Sequence, residues 1–302
     1  MTHYNVALRA GRRSNCTHFA RSGGRVNSPP RAASVFAITS GKGGVGKTNV
    51  AANLAATLAL RRRRVLAIDA DVGLADLDLL FGAKSVYTMA DFFSGRAALD
   101  EIITTTAQGV LLLPGASGVQ ELTALSVGQK MALASAFDNL AREVDIVIID
   151  TCSGISDAAT YFAAAAHDIL VVLTPDPSSL ADAYSLIKVL SSDHGQKHFQ
   201  VLANVVADED QARQLFDTLS QAAVRFLNVS LSYLGWIPHD PALMAAVLQS
   251  RLVVEAAKDS PSARAFATVA GTLLEIAAAG MRPKGNLQFF FRQVMESVEG
   301  AR

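Results

Sequence analysis

"ASVFAITSGKGGVGKTNV", residues 33–50, decides the fold. Val35 to Thr39 form a β-rich apolar run. It enters a loop carrying Gly41, Gly43, Gly44 and Gly46, and the pattern turns helical at Lys47 and Thr48. Gly41, Gly46, Lys47 and Thr48 satisfy the spacing G-x-x-x-x-G-K-[ST]. Strand before and helix after is the context that gives this spacing its meaning. Glycines let successive backbone N–H groups converge on phosphate oxygens without Cβ clashes. The helix N-terminus adds partial positive charge. Lys47 is expected to reach the β- and γ-phosphates of a nucleotide, and Thr48 to ligate Mg²⁺ through its hydroxyl. Lys42 is a second cation that the spacing does not require.

Outward from this loop, short apolar runs alternate with helical patterns. Residues 33–39, 64–69, 110–115, 144–150, 168–175, 199–206 and 231–238 read as strands, most of them apolar on both faces. Helical patterns occupy 47–60, 126–142, 178–192, 209–224, 241–249 and 261–279. The alternation predicts an α/β, doubly wound, mostly parallel sheet, and the glycine loop makes the expected fold the P-loop NTPase type. Three regions are expected: a basic tail over 1–32, one domain over 33–280 and a C-terminal helix over 281–302.

Two further stretches carry acids to the strand ends. "VDIVIID", residues 144–150, is an apolar strand ending in Asp150, placed to reach a metal directly or through water. Gly154 follows, where a loop sensing the γ-phosphate needs backbone access. "LAIDADVGLADLDLLFG", residues 66–82, ends its strand with Asp69 and Asp71. At i and i+2 on extended chain both point one way. One is placed to hold metal-bound water and the other to orient the attacking water. Asp76 and Asp78 read as turn and capping residues.

Charge is balanced overall but segregated. Residues 1–68 hold twelve Lys/Arg and no acid, against fifteen basic and 27 acidic residues in 69–302. The acid-free, Arg- and Ser-rich residues 1–32 read as a flexible tail, a basic arm or a transit peptide. Cys16 and Cys152 lack metal-ligand spacing and suit a reducing compartment. No apolar run approaches the ~18 residues of a membrane-spanning helix. At the C-terminus, Leu287, Phe290, Phe291, Val294, Met295 and Val298 fall within roughly 140° of helical arc. This amphipathic helix suits either an interfacial membrane contact, with Arg282, Lys284 and Arg292 near headgroups, or docking on protein.

Together these elements resemble the MinD/ParA family of deviant Walker A ATPases, whose loop reads K-G-G-x-x-G-K-[ST]. Lys42, Gly43, Gly44, Val45, Gly46, Lys47 and Thr48 match it, with Asn49 next. The resemblance implies that Lys42 crosses an ATP-dependent homodimer interface to the partner's phosphates. Reciprocal lysines there offset the repulsion of two polyphosphates. It makes Lys42, Lys47 and Asp71 catalytic, Asp71 by orienting water, and Thr48, Asp69 and Asp150 the metal site. Asn204, which alone would read as a turn residue, becomes the reader of adenine, with Pro238 and Asp240 on the loop flanking the base. Cys152 and Ser153 depart from the usual D-T-x-A-G of the second switch.

Within the family, "LLLPGASGVQELTALS" (111–126) and "TPDPSSLADAYSLIK" (174–188) resemble the FlhG/FleN branch of flagellar number regulators. That implies a cytoplasmic ATPase cycling onto the inner membrane face through its C-terminal helix. Its partners would include an FlhF-type GTPase, a flagellar switch protein or a flagellar transcription activator. The D-Q-A-x-x-L-R motif by which many members stimulate the GTPase is absent from residues 1–32. The alternatives are a MinD-like septum-site ATPase and a nucleotide-gated module that sequesters an activator with little hydrolysis. Direct DNA binding is disfavoured by the acidic excess of 69–302, and an iron–sulphur carrier by the lack of C-x-x-C.

Overall fold

A computed structural model describes residues 33–71, 76–115, 140 and 143–279. They run in the order β1 (Ser34–Ser40), α1 (Lys47–Leu60), β2 (Val65–Ala70), α2 (Leu77–Phe81), α3 (Met89–Phe93), α4 (Leu99–Ile102), β3 (Thr104–Thr105) and β4 (Leu111–Leu113). Then come β5 (Ile146–Ser153), α5 (Asp157–Ala165), β6 (Asp168–Leu173), α6 (Pro177–Ser192), β7 (His198–Val206) and α7 (Glu209–Leu227). β8 (Ser230–Pro238), α8 (Pro241–Leu248), α9 (Val253–Ala256) and α10 (Pro261–Ala279) complete the sequence.

The strands form one sheet in the order β3-β4-β2-β5-β1-β6-β7-β8. All neighbours are parallel except β3 and β4. Alternation along each strand divides the core. Val35 and Ala37 of β1 point to the layer of α5, α6 and α7, while Phe36 and Ile38 point to that of α1 and α10. A strand buried on both sides must be apolar at every position, which is why "VFAI" shows no polar alternation. Helix α1 lies under the sheet centre and is buried nearly all round, from Val50 to Leu58. Its wall of small residues, Ala51, Ala52, Ala55 and Ala56, lets it pack tightly there.

The expected strands are present, with ends displaced by a residue or more. Residues 110–115 shrink to Leu111–Leu113, and 144–150 extends to Ser153. Helix α5 escaped the reading because its nine residues are mostly alanine. Its start is marked by Ser156, whose side chain accepts from Ala159 N. Most of the expected helix 126–142, the tail 1–32 and the segment 281–302 lie outside the described residues. Among the described residues, no helix is long and apolar enough to cross a membrane.

The topology fixes where chemistry can occur. In a parallel sheet every strand delivers its C-terminal end to one rim, and ligands bind where neighbouring connections diverge. Here β1 lies between β5 and β6, so its loop opens at such a point. The register sets Asp69 level with Asp150, and Asp150 level with Ile38 just before the glycine loop.

Candidate functional site

The glycine loop closes onto α1 at Gly46, which caps the helix with a left-handed φ of 89°. A side chain there is excluded twice: by that φ, and because its Cβ would lie 2.6 Å from Asn204 Nδ2. Gly41 is excluded by contact alone, its added Cβ falling 2.0 Å from the Asp182 carbonyl oxygen on α6. Beside the loop opens a cleft of about 470 Å³. Gly43, Gly44, Gly46, Lys47, Thr48, Asn49, Asp71 and Ser153 line it, with Leu79, Leu80, Val247 and Ser250 as its apolar and outer walls. Asp76, expected only as a turn residue, also faces it.

Behind the cleft sit two buried acids. Asp150 and Asp69 are each 1% exposed, side by side on β5 and β2. Burial pushes the Asp150 carboxyl up to about 7, against a hydrogen bond from the Thr48 hydroxyl and the charge of Lys47. Burial likewise raises Asp69 to about 6, against hydrogen bonds from the backbone N–H groups of Asp71 and Leu77. Asp69 is therefore tied to the backbone that leads to Asp71 and away from it into α2. Asp71, half-buried, lines the cleft together with the more exposed Asp76.

Asn204 is 3% exposed, and its Nδ2 donates to the Val45 carbonyl at 2.8 Å. This joins the end of β7 to the glycine loop. Pro238 ends β8 opposite Val206 and lines a separate cleft with Trp236, His239 and Arg264. Asp240 caps α8 and reaches α10, one oxygen accepting from Ala242 N and the other from Ser262 N. Burial opposes its ionisation, but these N–H groups hold it below the usual carboxylate range. Its carboxylate is thus occupied with holding the loop that carries Pro238.

Lys42 precedes the cleft-lining Gly43 in the glycine loop. Its Nζ pairs with the Asp176 carboxylate and donates to the Ser178 hydroxyl at 2.7 Å. Asp176 is also the N-cap of α6, accepting from Ser178 N. The Lys42 hydrogen bond, and then those of Ser178, draw its carboxyl down to about 2. Sequence reading missed both partners. The signal was the "TPDPSS" of residues 174–179, an acid before a proline at a helix start. In the second switch Cys152 Sγ points at the Ala70 carbonyl, 3.3 Å away.

The residues suit a bound nucleotide and cation. The Oδ1 atoms of Asp150, Asn49 and Asn204 are buried without a hydrogen-bond partner among the described residues. Buried polar atoms are nearly always paired. Three unmatched acceptors around one loop therefore suit donors and a cation brought by a ligand.

Fold and loop together define a P-loop nucleoside triphosphatase. The ParA family model, described as "NUBPL iron-transfer P-loop NTPase", matches residues 31–274. The antiactivator FleN of Pseudomonas aeruginosa is 41% identical over 262 residues, covering 87% of this chain and 93% of that protein. The flagellum site-determining protein YlxH of Helicobacter pylori is 33% identical over 264 residues, covering 86% and 89%. The structure of the septum site-determining protein MinD complexed with Mg-ADP, from Pyrococcus horikoshii, superposes with a TM-score of 0.65 at 26% identity. It covers 82% of this chain and 98% of that one. The chain belongs to the ParA family of P-loop NTPases, and it is a nucleotide-binding ATPase of the FleN/YlxH or MinD type.

Proposed function

We propose that this chain is an FlhG/FleN-type ATPase that dimerises on ATP and controls flagellar number or placement. The observation that carries the reading is the 41% identity to the antiactivator FleN, sustained over 93% of that protein's length. A flagellar transcription activator is accordingly the first expected partner. An FlhF-type GTPase and a flagellar switch protein follow. The two cysteines, Cys16 and Cys152, form no C-x-x-C pair, so iron transfer is not adopted.

At the site, backbone N–H groups of residues 43–48 and the Lys47 ammonium would hold the ATP phosphates. Thr48 and Asp150 would hold Mg²⁺, with Asp69 behind them. When bound, the ion would draw charge from the phosphate oxygens. Asp71 would orient the attacking water, and Asn204 would offer its open Oδ1 to the base. Catalysis of this kind rests on positioning and charge neutralisation.

Lys42 would leave Asp176 and Ser178 to reach the partner's phosphates, coupling dimerisation to ATP. The dimer would then settle on the inner membrane face through residues 285–298 and return to the cytoplasm after hydrolysis. Deletion in a flagellated host tests the reading. Flagellar number or position should change while septa stay at mid-cell. Minicells with normal flagella would move the assignment to septum placement. ATP turnover measured with and without anionic vesicles separates a cycling ATPase from a module that only binds nucleotide.

A further inference from the structure

Among the described residues, four non-glycines hold a left-handed backbone: Arg62, Val205, Asn228 and Ser250. Three have an ordinary reason. Arg62, Asn228 and Ser250 each lie within two residues of a helix C-terminus, where chains commonly turn through this conformation. Val205 has none. It sits within β7 with φ at 59°, and a β-branched side chain in that region is an outlier that costs free energy. It is the extra residue of a bulge, since Asn204 pairs with Ile237 and Val206 with Pro238. Its side chain is 41% exposed, so burial of the isopropyl group does not explain its retention. Glycine would make the same turn without strain.

What lies beside it suggests why a side chain is kept. Asn204 points inward, tied to Val45, with a buried Oδ1 that lacks a partner among the described residues. The loop of Pro238 lies across the bulge. We propose that Val205 is a specificity-determining residue. Its isopropyl group would form an apolar wall for the flat face of the nucleotide base, while Asn204 reads the edge. This rests on the reading that the base lies at Asn204. Strain here trades fold stability for a contact made only when the base is present.

The test measures binding of Mg-ADP and of Mg-tripolyphosphate, which has no base, by calorimetry on the full chain. Val205→Gly should weaken ADP roughly fivefold, as partial loss of a buried valine contact implies. It should leave tripolyphosphate unchanged, and Val205→Ile should bind ADP like the parent. The nucleotide-free melting temperature of Val205→Gly should hold or rise. Unchanged ADP affinity, equal weakening of both ligands or a lower melting temperature would overturn the proposal. Asn204→Ala, run alongside, separates the two ideas. If it loses ADP selectively while Val205→Gly does not, the base lies at Asn204 and Val205 is no wall. If neither variant distinguishes the ligands, the placement of the base fails as well.

Discussion

Lys42 and Asp176 lie 134 residues apart in sequence, yet they form an ion pair between the glycine loop and the start of α6. The pair holds the lysine against α6 of the same chain. Both side chains are substantially exposed, 35% and 45%, so water screens the attraction and the bond is readily broken. An exposed pair of this kind is easily exchanged for another contact.

Asp176→Asn should therefore ease ATP-dependent dimerisation, lowering the required protein concentration by about two- to fivefold as expected for an exposed pair. Lys42→Ala should fail to dimerise and lose turnover while still binding ATP. Size-exclusion chromatography with light scattering reads both. A Lys42→Ala protein that dimerises normally would remove the cross-subunit role.

Asp71→Ala should retain nucleotide and the dimer while hydrolysis drops by about a hundredfold or more, the usual scale of a lost acid–base or water-positioning group. Filter binding and phosphate release measure the two halves separately. Comparable losses in both would show that Asp71 serves the fold of the cleft instead.

Asp150 and Asp69 set a pH dependence. Both carboxyls titrate higher folded than unfolded, at about 7 and about 6. The folded state therefore binds more protons, and ligand-free stability falls as pH rises from about 4 through 7. Mg²⁺ prefers the ionised acids, so the melting-temperature gain from Mg-nucleotide should grow over the same range. Asp150→Asn should flatten both trends, raising ligand-free stability at pH 8 and removing the Mg²⁺-dependent gain. Thermal scans from pH 5 to 8 check this, and an unchanged slope would locate the titration elsewhere.

Strand identity and order of chemistry were legible because buried parallel strands admit few residue types. The glycine loop was legible because phosphate binding dictates backbone as well as side chain. Asp150 was readable as an acid ending an apolar run. That Asp69 spends both oxygens on backbone N–H groups was not, since i, i+2 spacing says only that it shares a side with Asp71. Asp240 was read as part of the loop flanking the base; that its carboxylate accepts from Ala242 and Ser262 was not legible. The Lys42 pair with Asp176 depends on α6 starting beside the glycine loop, a long-range fact no local pattern carries. Likewise Val205 looks like an ordinary strand residue until its φ is known.

The segment 285–298 lies outside the described residues, and its role is tested directly. Phe290→Glu with Phe291→Glu should release ATP-bound protein from anionic liposomes, because two apolar anchors leave the inserted face. Unchanged co-sedimentation would favour docking of this segment on protein.

At Gly41 no side chain separates the phosphate loop from α6; main chain abuts main chain at Asp182. Elsewhere in a core, rotamers act as springs that soak up small shifts. Here there are none to yield. A shift of the loop at Gly41 would press main chain directly on the main chain of Pro177–Ser192.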